Sequence, residues 1–299
     1  MSADRTGSSS LATQEPAVDA AGRRAHIGRS PARARSRSLR SVIRRRRPAF
    51  LGALGVLGFL GLWQIVASYG LLPRDDLPPA TTTLQRAFEL LGDGRFMGNV
   101  GATLTSAAAG FLIAVVIAVP AGLLLGMSSR LYDFTSTVVE LLRPLPPIAF
   151  VPLLVLVVGQ GLEMKASVVA LGCVWPLLTN TIHGVHSTNG VAISTGRTFG
   201  WTRWQVVRRI VWPSAIPSVL VGVRITVSIA LILCVGAEYI GGSTTGIGSW
   251  LLQQSMLPQG IESVCAGVII SGLLGLLVNA VVSVLDNRFG AWARQEEAV

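Results

Sequence analysis

Residues 194–213 read Ser194-Thr195-Gly196-Arg197-Thr198-Phe199-Gly200-Trp201-Thr202-Arg203-Trp204-Gln205-Val206-Val207-Arg208-Arg209-Ile210-Val211-Trp212-Pro213. Gly200 marks a break in a helical stretch. Pro213, which lacks an N–H and crowds the preceding turn, is expected to stop the helix that follows. Phe199, Val206, Val207 and Ile210 form an apolar stripe and Arg203, Arg208 and Arg209 a basic face, with no acid anywhere from 187 to 217. A short helix of this composition is suited to lie on a surface, either a groove on another protein or a layer of anionic lipid headgroups. The stretch also lies between two apolar runs, where packed helices need only a short turn.

Those flanking runs set the fold class. A bilayer core of about 30 Å takes roughly 20 apolar residues of helix. Runs of that kind occur near 49–69, 104–126, 147–160, 166–185, 217–240 and 264–285. The chain is 51% hydrophobic and only 13% charged, with a mean hydropathy of +0.58. An all-α integral membrane protein with six transmembrane helices follows. The third run is the least regular, because Arg143, Pro144, Pro146, Pro147 and Pro152 interrupt helix where it should begin.

The net charge of +10 is concentrated at one end. Twelve of the 25 Lys and Arg fall within residues 1–48, against Asp4, Glu15 and Asp19. The rest of the chain is close to neutral and offers no basic groove, which argues against a nucleic-acid partner. Residues 1–47 are expected to be a disordered Arg-rich tail. A cleaved signal peptide competes for this region, but the uncharged run from Pro48 to Leu72 is too long for one. Loops on one side hold Arg130, Arg143, Arg197, Arg203, Arg208, Arg209, Arg288 and Arg294 besides the tail. The other side holds Arg74, Arg86, Arg95 and Lys165. The positive-inside rule then places both termini in the cytoplasm.

Cys173, Cys234 and Cys265 lie in apolar runs without paired spacing, and the three histidines, His183 and His186 among them, are too few and scattered for a metal site. Gly110, Ala114, Ala118, Gly122 and Gly126 repeat every four residues, as do Gly267, Ser271, Gly275, Asn279 and Ser283. Such small-residue ridges let helices approach closely in lipid. Arg224 and Glu238 fall inside the fifth span, about 21 Å apart along a helix, so they cannot pair with each other. Snorkelling to the interface and contact with the bundle or a solute pathway are both open for them. Asn180 and Asn279, with the hydroxyls of Thr105 and Ser271, are the polar groups available to line such a pathway.

The quoted loop resembles the cytoplasmic motif of binding-protein-dependent ABC permeases: Glu-Ala-Ala, three residues, Gly, nine residues, Ile-x-Leu-Pro. Gly200, residues 201–209, Ile210 and Pro213 match in register, while Ser194, Thr195 and Gly196 replace Glu-Ala-Ala and Trp212 replaces Leu. Over about 97–288 the resemblance sharpens to the nitrate, sulfonate and taurine branch. It is carried there by Arg143 to Leu153, by Gly159-Gln160-Gly161 through Lys165, and by Ala237-Glu238-Tyr239-Ile240 leading into Gly246-Ile247-Gly248.

The resemblance implies a type I ABC importer permease fold in the plasma membrane. It divides the chain into a tail at 1–47, a first helix and external loop at 48–96, the permease core at 97–288 and a second tail at 289–299. It also implies a coupling helix at about 194–213 that meets a cytoplasmic ABC ATPase, an external substrate-binding protein, a homodimer of permease subunits, and no cofactor. The chain has no G-x-x-x-x-G-K-[ST] phosphate loop, so ATP hydrolysis is expected from the partner. The expected solute is a sulfonate such as taurine, or nitrate, with a pyrimidine or similar heterocycle as the alternative. A secondary transporter acting alone would instead want inverted repeats or several in-membrane carboxylates. A membrane-embedded enzyme would want paired catalytic groups in the spans.

Overall fold

The computed structural model describes residues 32–69 and 77–289, with side chains over 50–69 and 77–284. Residues 1–31, Arg74 and residues 290–299 lie outside that range, as do most of the expected N-terminal tail and nearly all of the C-terminal one. The chain divides into two units, Met1–Phe59 and Leu60–Val299. Helix α1 runs Ala32–Ser68, so residues 32–47, read as disordered tail, begin a helix. Alanine, arginine and leucine favour helix and extend the turns of the apolar run that follows.

Among the described residues the structure is helical, with no strand. After α1 come α2 (Ala80–Gly92), α3 (Gly94–Met127), α4 (Ser129–Leu142), a 3₁₀ turn Pro147–Phe150 and α5 (Val151–Val158). Then follow α6 (Leu162–His186), α7 (Gly190–Thr198), α8 (Arg203–Val206), α9 (Trp212–Gly241), α10 (Ile247–Ser255) and α11 (Ile261–Phe289). Five helices are long and apolar enough to cross a bilayer. The pair formed by α4 and Pro147–Val158, bent by 77°, supplies the sixth when it is counted as one broken crossing. The prolines at 144, 146 and 147 account for that break, since each lacks an N–H donor and Pro147 holds Pro146 in extended backbone, with ψ 114°.

The bundle is organised on α6, the most enclosed span, which packs against α3 on one side and α9 on the other. The ridge on α3 makes the first contact possible. A side chain at Gly110 would come within 2.6 Å of Val169 Cβ, at Gly122 within 2.6 Å of Thr181 Cβ, and at Gly126 within 2.7 Å of Val185 Cβ. Ala114 and Ala118 between them are fully buried. In lipid this close backbone approach substitutes for the hydrophobic drive that water would supply. Gly110→Val should therefore force α3 off α6, costing about 1–3 kcal/mol or more. A clear drop in the thermal unfolding midpoint of the detergent-solubilised subunit is expected, and an unchanged midpoint would contradict this packing.

The second ridge, on α11, behaves differently. Gly267 meets Trp250 and Leu251 of α10, but Ser271, Gly275 and Asn279 border a groove of about 490 Å³ shared with α9, where Ser228, Leu231 and Val235 face them. Beside α10, Phe96 packs edge-on against Trp250 with ring centroids 4.8 Å apart. In the second unit, Trp63 Nε1 donates to Pro78 O at 3.1 Å, tying the end of α1 to the head of α2.

Candidate functional site

Two places in the molecule concentrate the chemistry, one at each end of the bundle. At the first, α7, α8 and the start of α9 form a helical hairpin. Asn189 caps α7 by accepting from the Val191 N–H, and Gly200 turns the chain with φ +77°. Thr202 and Gln205 then form a reciprocal capping box at the head of α8. The helix that starts there does not stop at Pro213, contrary to the sequence expectation. It passes through a π turn at Val207–Val211 and continues as α9, with Pro213 directly after that turn, where the regular i→i−4 ladder is already interrupted. Helix from Arg203 to Gly241 is thus continuous, and the loop helix and the fifth span are mechanically one piece.

The expected apolar stripe divides. Val206 and Val211 are buried against Val185 and Ala215, with Ile193, Trp201 and Ile210 packed beside them. A two-helix hairpin needs a core of its own, and these residues supply it. Phe199 and Trp204 remain outside, 74% and 70% exposed, and they form the surface a partner would meet. Arg203 and Arg208 are exposed, and the Arg209 guanidinium lies 5.2 Å from the Trp201 ring centroid. Gly196 is buried with Ile210 Cδ1 and a Trp201 ring carbon each 3.1 Å from where a Cβ would be. That contact explains why the third position of the motif must be small. Ser194 and Thr195 are exposed, and Ser194 Oγ donates to Gly190 O within its own helix at 2.8 Å. The hairpin therefore keeps its shape without the glutamate usual at the first position.

The second place is a buried polar cluster at the opposite end. Glu238 is fully buried and Lys165 is 3% exposed, with Lys165 Nζ 3.4 Å from Glu238 Oε1. Thr103 Oγ1 donates to the same carboxylate at 2.8 Å, and the Gly248 N–H donates to it at 3.0 Å. Lys165 Nζ also donates to Thr245 O at 3.0 Å, the Gly246 N–H to Asn99 Oδ1 at 2.9 Å, and the Ile247 N–H to Thr103 Oγ1 at 2.8 Å. Gly246 has φ +124°, and a side chain on it would strike the Glu238 carboxylate. Three motifs separated in sequence, the stretch ending at Lys165, Glu238 and Gly246–Gly248, thus meet at one point.

This cluster corrects one expectation and decides between alternatives for another. Lys165, counted in an outer loop, lies in the first turn of α6, where it is buried because Glu238 neutralises it. Glu238, for which snorkelling and contact with the bundle or the pathway were open, contacts the bundle, with its carboxylate enclosed by Thr103, Lys165 and Gly248. Thr103 and Asn99 carried a faint signal, two polar residues four apart just before the α3 ridge.

The other pathway candidates scatter. Asn180 donates to Pro176 O at 2.8 Å and packs where Gly222 of α9 passes, which is a helix-packing position. Asn279 borders the groove between α9 and α11. Arg224 is exposed, nearly midway along the Arg203–Gly241 helix, and forms no ion pair among the described residues. Thr105 bonds back to Gly101 O and is exposed.

The profile of the family described as binding-protein-dependent transport system inner membrane component matches residues 114–291. The chain belongs to that family. A putative ABC transporter permease protein of Methanocaldococcus jannaschii is 30% identical over 238 residues, covering 78% of this chain and 88% of the relative. The putative aliphatic sulfonates transport permease protein SsuC of Bacillus subtilis is 27% identical, covering 80% and 86%. The taurine transport system permease protein TauC of Escherichia coli is 29% identical, covering 81% and 88%. In fold, a chain of the MetNI methionine ABC transporter in inward-facing conformations superposes with a TM-score of 0.53 at 22% identity, over 62% of this chain and 92% of that one. The binding-protein-dependent permease described here is therefore an ABC importer subunit of type I fold, a transport protein of the inner membrane.

Proposed function

We propose that this permease carries a small anion, a sulfonate such as taurine or nitrate, from an external binding protein into the cytoplasm, on energy from a separate ATPase seated on the α7–α8 hairpin. Two copies of the chain form the pathway. The observation that carries the solute class is the alignment, over about four fifths of the chain, with relatives named for aliphatic sulfonates and for taurine. It favours the anion over the pyrimidine alternative.

Arg224 supports the same reading. A guanidinium facing hydrocarbon is costly, so its exposed place inside the fifth span suits a wet pathway or a second subunit better than lipid. The groove beside α9 is lined mainly by Leu231, Ile232, Val235, Val268 and Leu276, with Ser228, Ser271 and Asn279 as its polar groups and no carboxylate, so it adds nothing against an anion and little for one.

Both termini are placed in the cytoplasm. With Lys165 inside a helix, the outer side keeps only Arg74, Arg86 and Arg95, which strengthens the charge asymmetry. Cysteines introduced at Ser8 and Arg294 should be shielded from an impermeant thiol reagent in intact cells while one at Arg74 reacts, and labelling of either terminus would reverse the orientation.

The solute is tested by uptake of labelled taurine, an alkanesulfonate, nitrate and a pyrimidine in cells with and without the subunit. Loss of uptake of an anion is expected, and Arg224→Gln should raise the KM for that anion about tenfold, the cost of roughly 1.4 kcal/mol of lost charge attraction. No loss for any anion with clear loss for the pyrimidine would overturn the solute assignment.

A further inference from the structure

We propose that Lys165 and Glu238 clamp the strap at 242–248 and the head of α10 onto α3 and α6, and thereby position the surface on which the binding protein docks, without touching the solute. The identity of that partner rests on the proposed function above, and the clamp rests on geometry alone.

The strap has little of its own to hold it. Gly242 and Gly246 both have positive φ, and its internal side-chain hydrogen bond is Ser243 Oγ to Thr245 O at 2.8 Å, with Ser249 of α10 bonding Ser243 Oγ and Thr245 O at 3.1 Å and the Gly242 and Ser243 N–H groups donating to Glu238 O. Its ties outward go to Glu238, Lys165, Asn99 and Thr103. Glu238 takes the position of an anion at the N-terminus of α10, accepting from a backbone N–H of the first turn, where the helix dipole favours negative charge. Lys165 balances that charge and holds the strap by Thr245 O.

The other faces of the cluster behave differently. Helices α3, α6 and α9 also pack closely away from the cluster, at Gly110 and Gly122 of α3 against α6 and at Gly222 of α9 against Asn180, and those contacts do not involve the ion pair. Loss of either charge should release the strap first and leave the three-helix core standing. The strap belongs to the end of the bundle opposite the coupling hairpin, which the proposed orientation places outside.

The protein carries its own reporter of that release. Cys234 is fully buried with Sγ 3.7 Å from Glu238 Oε1 and 3.5 Å from Thr103 O, whereas Cys173 is fully buried next to Thr226 O in the core. The assembled complex is prepared in lipid vesicles with Cys234 as the only cysteine of the permease, or with Cys173 as the only one, and treated with a small maleimide. Glu238→Gln and Lys165→Met should each speed labelling of Cys234 about tenfold or more while Cys173 stays within about twofold of its original rate, the pattern of local rather than global opening. In the same complexes, the binding-protein concentration giving half-maximal ATP hydrolysis should rise about tenfold with the maximal rate within about twofold, since positioning changes KM and not kcat. Equal acceleration at both cysteines, or a lower maximal rate at unchanged half-saturation, would mean general loosening and overturn the clamp. If the wild-type complex did not respond to a binding protein at all, the importer reading would fail, and labelling alone would decide the clamp.

Discussion

Gly200→Pro and, separately, Phe199→Asp are expected to abolish uptake while the subunit still inserts and accumulates. Gly200 has φ +77°, a value proline cannot adopt because its ring holds φ near −65°, and its N–H donates to Arg197 O at 3.0 Å, a bond proline would remove. The turn between α7 and α8 would reopen, and the exposed pair Phe199 and Trp204 would lose its fixed spacing. Phe199→Asp leaves the turn intact and puts a charge on the most exposed aromatic of the hairpin. Losing an aromatic anchor from an interface costs about 2 kcal/mol or more, roughly a 30-fold weaker hold on the ATPase. Both changes lie outside the α3–α6–α9 core, so the permease itself should be unharmed. Co-purification of the ATPase at wild-type yield with both variants would contradict the coupling role.

Replacing Glu238 by Leu should be the most damaging single change within the spans. It removes the carboxylate that accepts from Thr103 and Gly248 and leaves the Lys165 ammonium buried without a counter-charge. Breaking a buried ion pair on one side costs about 3–5 kcal/mol, whereas replacing both members by apolar groups is often close to neutral. Glu238→Leu should therefore open the strap end of the bundle at a lower temperature than the wild type, ahead of the α3–α6–α9 core. The double variant Lys165→Met with Glu238→Leu should recover a good part of the loss in stability but not the positioning of the strap. A double variant as unstable as the single one, or a single one as stable as the wild type, would show that the pair does not hold this end together.

Much of this architecture was readable from the sequence, and the reason is physical. Hydrocarbon imposes length and apolarity on every crossing, so each expected span overlaps a helix, although α3 starts at Gly94 rather than 104 and the helix of the fifth span at Arg203 rather than 217, and the prolines near 147 announced the break between α4 and α5. Small residues four apart on α3 announced a close helix contact, though not that α6 was the partner. The positive φ at Gly200 was implied by the motif around it. What stayed hidden depends on distance in space. Lys165 next to an apolar run reads as a loop charge until Glu238, 73 positions later, is brought beside it. A π turn has no sequence mark as strong as proline, so Pro213 read as a stop where it is an early residue of a longer helix. The stripe of Val206 and Ile210 read as one face with Phe199 because the hairpin's own need for a core does not show in the local pattern.

The central claim is that this subunit works only as part of an ATP-driven importer. The most direct test places the purified permease in vesicles with labelled taurine and its binding protein on the receiving side, and with the ATPase and ATP, alone and together, on the other. Accumulation that requires both the ATPase and ATP hydrolysis is predicted. Accumulation driven by an ion gradient in vesicles that contain no ATPase would contradict the account and make the chain a transporter that acts alone.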